Sequence, residues 1–266
     1  MDTNQDNQGT NKKSTSETGH YKTVVEFNTI KVILEQMGTE YKPQKEILKL
    51  ANVETKLTAA KEIQDIEMSQ ENTLSLAIDN RQNVYFEIKP FCTQIINLLS
   101  STNVGTKTIQ NAIAINAKIQ GIRIGKKTNK TATTAGTATP TKLNTKTISV
   151  AQLSYDSIHK NFKALIDLLQ QDGNYAPEDA QYTIVSLQAK ADNMALANEN
   201  TTKNTVELGK KRIARDKFFY TDKDSVIQIG KDIKKYIRGK YKLTSPEFAQ
   251  VKNLKFTDLS KKKKPK

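Results

Sequence analysis

The sequence predicts an all-α protein made of two tandem up-and-down helical bundles, and three observations lead to this prediction. The 266 residues include only 11 Gly and 6 Pro and no Trp, a composition that favours helix over sheet. Apolar residues recur at helical spacings of three and four. One segment occurs twice at a constant offset of 134 residues, with Arg81 and Tyr85 matching Arg215 and Phe219. We therefore expect internal duplication, with four helices in each bundle.

The predicted organisation has five parts, which differ in composition. Residues 1–19 contain no apolar side chain after Met1, so we expect them to remain disordered. Residues 126–148, which are rich in Thr and Lys, also lack large apolar clusters, and this composition predicts a flexible linker. The parts are a disordered tail (1–20), bundle 1 (21–125), the linker (126–148), bundle 2 (149–257) and a basic tail (258–266).

Turn-forming residues delimit the helices of each bundle. In bundle 1, Gly38 ends the first helix, and the apolar stripe that follows becomes polar near 69–72. Either the helix breaks there or one long helix continues, which would give a three-helix bundle. The matching stretch 198–205 holds eight poor helix formers, so a break is favoured in both copies. Near the end of bundle 2, Ser245 followed by Pro246 predicts a capped helix start.

Positive charge is concentrated in two blocks of the chain, whose net charge is +14. Residues 88–155 carry nine basic and no acidic side chains, and residues 210–266 carry nineteen basic and six acidic ones. Such blocks suit an acidic partner, either nucleic acid, an anionic surface or an acidic protein. A simpler explanation is solubility and base composition, because only five of the 42 basic residues are Arg.

The clearest candidate site is a basic helix face in bundle 2. Its residues step by three and four and so share one face, opposite Ile229, Ile233 and Ile237. They are Lys231, Lys234, Lys235, Arg238 and Lys242. This face could bind the phosphate backbone of nucleic acid without sequence specificity. The alternative is an ordinary solvated helix face.

The repeated arginines, Arg81 and Arg215, lie on the apolar stripes of their helices. Each has an aromatic residue one turn later, Tyr85 or Phe219. An arginine in that position can stack on a ring and pair with a carboxylate of a neighbouring helix. We therefore interpret both as structural residues, with ligand binding as the alternative.

No pattern of residues indicates catalysis, a metal or a cofactor. The chain has two histidines, His20 and His159, and one cysteine, Cys92, none in a metal-ligand spacing. No phosphate loop or nucleophile elbow is present. Glu67 and Glu71 could pair as carboxylates, but the second copy has Thr at both positions.

The expected function is therefore a non-enzymatic scaffold or protein-interaction module that needs no cofactor. Its partner would be another protein or a second copy of the chain, and nucleic-acid binding through the basic face is the alternative. No apolar stretch approaches the roughly 20 residues that a membrane-spanning helix needs. A secretory signal is not evident at the N-terminus, so we expect a cytoplasmic protein.

Overall fold

The computed structural model describes residues 19–122 and 153–258, and every regular element in these residues is helical. The all-α prediction is confirmed. The described helices are α1 (His20–Met37), α2 (Leu50–Phe86), α3 (Ile88–Leu99), α4 (Thr106–Gln120), α5 (Tyr155–Asp172), α6 (Ile184–Asp216), α7 (Val226–Lys240) and α8 (Pro246–Lys252). The predicted tail up to residue 18, the linker 126–148 and the basic tail from residue 259 lie outside the described residues.

Two of the helices, α2 and α6, are much longer than the sequence predicts. The expected breaks near 69–72 and 198–205 are wrong, since α2 runs through the first stretch and α6 through the second. No Gly or Pro interrupts either stretch. The continuous alternative is therefore the one that the structure adopts.

The poor helix formers of α6 are accommodated by bonds from their own side chains to the helix backbone. Thr201 Oγ1 donates to the carbonyl of Ala197 at 2.9 Å, and Thr205 Oγ1 donates to that of Thr201 at 2.8 Å. Thr202 makes the same i to i−4 bond. A hydroxyl that would otherwise favour a cap is thus satisfied inside the helix.

The described chain forms two compact units, each with its own core. Unit 1 combines residues up to Glu71 with those from Glu207 onward, and unit 2 comprises Asn72–Val206. Each unit therefore takes helices from both of the predicted bundles (21–125 and 149–257), whereas the sequence predicts bundles that follow one another. The difference arises because α2 and α6 do not break where the sequence predicts.

The core of unit 1 is built from the apolar faces of α1, α7 and α8 with the start of α2 and the end of α6. Its fully buried side chains include Phe27, Ile30, Phe219, Ile233 and Ile237. α8 begins as predicted, with Ser245 Oγ accepting from the Phe248 N–H at 3.1 Å and Pro246 in the first turn.

The core of unit 2 is built from α3, α4 and α5 with the end of α2 and the start of α6. Fully buried Ile95, Leu99, Phe162 and Leu165 lie at its centre. Pro90 lies in the first turn of α3, where the missing N–H leaves no helical bond unmade.

Several local features occur in both units at positions 134 residues apart. The Tyr41 hydroxyl donates to the Leu48 carbonyl at 2.7 Å, and the Tyr175 hydroxyl donates to the Tyr182 carbonyl at 2.9 Å. The acceptors end two 3₁₀ turns, Glu46–Leu48 and Ala180–Tyr182. In both cases the long helix begins two residues later, at Leu50 or Ile184.

Candidate anion-binding surface

Helix α7 presents one apolar and one basic face. Ser225 caps its start, its Oγ accepting from the Gln228 N–H at 3.3 Å. Ile229, Ile233 and Ile237 are buried in the core of unit 1. The opposite face carries four of the five predicted residues, Lys231, Lys234, Lys235 and Arg238. Lys242 does not share this helix face as predicted, because α7 ends at Lys240 and the backbone is extended at Tyr241. We call the five residues together the basic surface.

Four residues of the basic surface are exposed to solvent: Lys231, Lys235, Arg238 and Lys242. Lys235 Nζ lies 3.7 Å from an oxygen of Asp232, but that carboxylate also accepts from Lys45 Nζ at 3.0 Å. Among the described residues, Lys231, Arg238 and Lys242 have no carboxylate partner. The surface therefore carries positive charge that the described part of unit 1 does not neutralise.

Lys234 differs from the other four because the fold holds its ammonium group in place. Its Nζ donates to the carbonyl of Lys252 at 2.9 Å and to that of Leu254 at 2.6 Å. Partial burial lowers the pKa of Lys234, and the charge of Glu26 partly offsets this effect. One of its three N–H donors remains beyond these two bonds.

A shallow cavity of about 300 Å³ lies on the basic surface, lined by Lys231, Lys234, Lys235 and Phe256. The Phe256 ring, which is buried, packs directly against Gly230 of α7. A Cβ atom at Gly230 would come within 2.6 Å of that ring. Only glycine therefore allows the ring to sit this close to the helix.

The neighbouring basic residues of α6 are already paired. Lys210 and Lys211 each lie 3.4 Å from an oxygen of Glu207. Arg212 Nη2 donates to Glu71 at 2.7 Å. They belong to local ion pairs, in contrast to the unpaired cations of α7.

Arg215 lies in a group of charged residues that we call the polar layer of unit 1: Glu67, Asp216 and His20 with Arg215 itself. Its Nη1 donates to Glu67 Oε1, and its Nη2 donates to Asp216 Oδ1 at 2.8 Å. The side chains of Arg215 and Glu67 are 15% and 11% exposed, so the pair is largely shielded from water. A single π-helical turn, Lys217–Thr221, follows directly.

His20 completes the polar layer of unit 1 from the start of α1. Its Nε2 lies 3.3 Å from Asp216 Oδ1, and its ring meets that of Phe219 edge-on at 5.5 Å between centroids. Burial lowers the pKa of His20, and the positive charge of Arg215 lowers it further, while Asp216 and Glu67 oppose both effects.

Arg81 has different surroundings in unit 2. Its guanidinium stacks over the Tyr155 ring at 4.3 Å, and no carboxylate among the described residues pairs with it. Beside it, Asn198 Nδ2 donates to the Tyr85 hydroxyl and to Asp156 Oδ1, each at 2.9 Å. We call Arg81, Tyr85, Tyr155, Asp156 and Asn198 the polar layer of unit 2.

Sequence reasoning missed two residues of this region. Phe256 lines the cavity, and Asp232 accepts from Lys45. Phe256 follows the last helix, outside any periodic pattern, and no local signal marks it. Gly230 did carry a signal, because a glycine inside a helix between apolar residues indicates close packing. That signal does not reveal which side chain packs there.

Among the described residues, no group of His, Cys, Asp and Glu could hold a metal ion, and none of the described helices is long and apolar enough to cross a membrane. Cys92 is buried, and burial raises the pKa of its thiol to about 12. The thiol is therefore protonated and poorly reactive near neutral pH.

Comparisons with protein-family models, curated proteins and solved structures gave no match.

Proposed function

We propose that this protein is a non-enzymatic helical binding module, and that unit 1 binds a polyanionic partner through the basic surface of α7. One observation carries the proposal: Lys231, Arg238 and Lys242 have no carboxylate partner among the described residues, while Lys210 and Lys211 of α6 are paired with Glu207. Unpaired cations on one face raise the local concentration of anions.

The matching face of α3 in unit 2 argues against a purely compositional origin of these lysines. At the 134-residue offset, exposed Asn97, Ser100 and Ser101 correspond to Lys231, Lys234 and Lys235. A general surplus of lysine would load both helices to a similar degree. The contrast instead supports a role that unit 1 has and unit 2 lacks.

We further propose that the two halves of the chain arose by duplication and that each unit combines one part of each copy. The recurring tyrosine hydrogen bonds, Tyr41 to Leu48 and Tyr175 to Tyr182, support this history. In this proposal the duplicated helices form the scaffold and α7 carries the specialised surface. A protein partner, self-association and a cytoplasmic location remain predictions from the sequence.

Retention on immobilised heparin, a general polyanion, tests the proposal. We expect the protein to bind at about 50 mM salt and to elute as the salt concentration rises, because counterion release weakens such binding. The triple variant Lys231→Gln, Arg238→Gln and Lys242→Gln should elute at clearly lower salt.

A control variant changes charge outside the proposed surface. Lys210→Gln with Lys211→Gln removes two positive charges that are paired with Glu207. This variant should elute close to the unchanged protein. If both variants shift in proportion to net charge, or if neither shifts, the proposed surface is not the binding site.

A further inference from the structure

We infer that the polyanion is the phosphate backbone of a nucleic-acid duplex, bound without sequence preference, with one phosphate at the cavity above Phe256. This inference rests on the proposed function, since it names the partner of the same surface. Three properties of the surface separate a duplex from the other anionic partners.

The first property excludes insertion into an anionic membrane. Amphipathic helices that bind membranes bury an apolar face among the lipids. In α7 that face, with Ile229, Ile233 and Ile237, is already buried in the core of unit 1. Of the described residues next to the basic surface, Leu243 is the large apolar side chain that is well exposed, at 60%. A single leucine gives little apolar area for insertion.

The second property distinguishes a nucleic acid from an acidic protein. Interfaces between proteins have an apolar, well-packed centre, whereas protein–nucleic acid interfaces are polar and strongly positive. The centre of the basic surface is a cavity between lysines, and its one aromatic ring, Phe256, is buried. The surface thus has the charge of a nucleic-acid interface and lacks the apolar centre of a protein interface.

The third property favours a duplex over a single strand. Proteins that bind single strands stack the bases on exposed aromatic rings. Near the basic surface, Tyr236 packs edge-on against Tyr41 at 5.3 Å and its hydroxyl accepts from the Lys42 N–H. Tyr241 lies under the Lys240 ammonium, 5.1 Å from its ring centroid. Neither ring is arranged as a stacking platform.

The spacing of the cations fits a phosphate backbone. Lys231 and Arg238 are seven residues apart on α7, which is about 10 Å along the helix. One strand of a duplex advances about 3.4 Å per phosphate, so this length spans about three phosphates. The predominance of lysine fits contacts to phosphates. Contacts that distinguish bases are usually made by the forked guanidinium group of arginine.

The cavity identifies where one phosphate would be held most firmly. Lys234 is fixed by two backbone carbonyls and keeps one donor, and Lys231 and Lys235 flank the opening. A phosphate oxygen there would meet three ammonium groups, two of which are flexible. This arrangement orients one phosphate and leaves the remaining contacts adaptable.

The test measures fluorescence anisotropy of a labelled, mixed-sequence DNA duplex with the full chain between about 50 and 200 mM salt. The unchanged protein should bind with a steep salt dependence, and a duplex of scrambled sequence should bind equally. The variant Lys231→Gln with Lys235→Gln should lower the slope of log K against log salt by about two and weaken binding at least about tenfold at low salt. Lys210→Gln with Lys211→Gln, an equal change of charge, should keep the slope. Circular dichroism should show equal helix content in all three proteins.

Binding measurements with other polyanions distinguish failure of the duplex inference from failure of the proposed function. Tighter binding to a single strand of equal length, to phosphatidylserine vesicles or to polyglutamate would overturn the duplex inference but leave the proposed function standing. Binding to heparin without binding to the duplex would do the same. Equal losses in both lysine variants would overturn the assignment to the cavity. Absence of binding to every polyanion at low salt would overturn the proposed function itself.

Discussion

Units 1 and 2 carry different charges at positions that correspond along the chain. In unit 1, α7 presents Lys231, Lys234 and Lys235 on its outer face, where unit 2 has Asn97 near the end of α3 and Ser100 and Ser101 just after it. Phe256, which lines the cavity, and Gly230, against which it packs, correspond to Ile122 and Ile96 of unit 2. The residues of the basic surface and of its cavity are thus specific to unit 1, even where local hydrogen bonds recur in both units.

The interiors of the two units also differ in their polar side chains at corresponding positions. Glu67 of unit 1, which pairs with Arg215, corresponds to Thr201, whose hydroxyl donates to helix carbonyls. Phe219 corresponds to Tyr85, whose hydroxyl accepts from Asn198. Unit 1 therefore holds a shielded ion pair between Glu67 and Arg215. At the corresponding positions unit 2 holds the Thr201 hydroxyl and Arg81, which stacks on a tyrosine ring. The comparison teaches that these positions accept either an ion pair or a hydroxyl, and we expect the loss of the ion pair to cost more free energy of unfolding.

The largest expected effect comes from Glu67→Ala. The substitution leaves the Arg215 guanidinium largely buried with Asp216 alone as its partner. Breaking a shielded ion pair from one side is costly, so we expect the free energy of unfolding, measured by urea denaturation, to fall by about 3 kcal/mol.

The matched variant in unit 2 is Thr201→Val, which removes only a hydroxyl. It should lower the free energy of unfolding by about 1 kcal/mol. Equal losses from Glu67→Ala and Thr201→Val would contradict the contrast between an ion pair and a hydroxyl at this position.

The next largest effect should come from Gly230→Ala. The added methyl group would meet the Phe256 ring at 2.6 Å, so the ring or the helix must shift. Overpacking of this kind costs about 1 to 3 kcal/mol in unfolding free energy. Gly239→Ala on the same helix is the control, because nothing lies within 4 Å of its Cβ position. It should stabilise by about 0.5 kcal/mol, since alanine is the better helix former.

The sequence was sufficient for the helical class, for two of the helix limits and for the composition of the basic surface. Gly38 and the Ser245–Pro246 start act through local backbone geometry, which a sequence shows directly. The continuity of α6 could not be predicted in the same way. Residues such as Thr201 favour caps in isolation, and whether they bond within a helix instead depends on packing around them.

The candidate site was predictable only as a set of charges. Helical spacing brings Lys231, Lys235 and Arg238 to one face whatever the tertiary structure. Spacing cannot show that Lys234 is held by the carbonyls of α8 and the segment after it, or that Phe256 lies beneath the lysines. Both facts depend on contacts between residues about twenty positions apart, which local patterns do not encode.

A graft of the lysines onto unit 2 separates the effect of charge from that of the cavity. The variant carries Asn97→Lys, Ser100→Lys and Ser101→Lys, in a background where Lys231→Gln and Lys235→Gln weaken the original surface. The three positions are exposed and lie at the C-terminal end of α3. Cations are favourable near a helix C-terminus. The slope of duplex binding against salt should rise by about two to three.

The grafted surface should nevertheless bind more weakly than α7 does in the unchanged protein, because unit 2 has Ile96 and Ile122 where unit 1 has Gly230 and Phe256. Fluorescence anisotropy with the same duplex measures both the affinity and its dependence on salt. Recovery of the full original affinity would show that the cavity contributes nothing beyond its charge.

The smallest effect concerns His20, which corresponds to Ser154 in unit 2 and so gives unit 1 alone a titrating group at this position. Burial and the charge of Arg215 lower the pKa of His20 in the folded protein, against the opposing effects of Asp216 and Glu67. The unfolded chain, with a histidine pKa of about 6.5, then binds the proton more readily than the folded one. The free energy of unfolding should therefore be constant at higher pH and decrease as the pH falls through about 6.5.

Urea denaturation between about pH 8 and pH 5.5, above the range in which carboxylates titrate, measures this dependence. His159 is present in both the unchanged protein and the His20→Gln variant, so the difference between the two isolates His20. The variant should lose part of the decrease at low pH. If instead the unchanged protein gained stability relative to the variant on acidification, the contact between His20 Nε2 and Asp216, at 3.3 Å, would outweigh burial. The polar layer of unit 1 would then favour the charged imidazolium, whereas unit 2 has the uncharged Ser154 at the corresponding position.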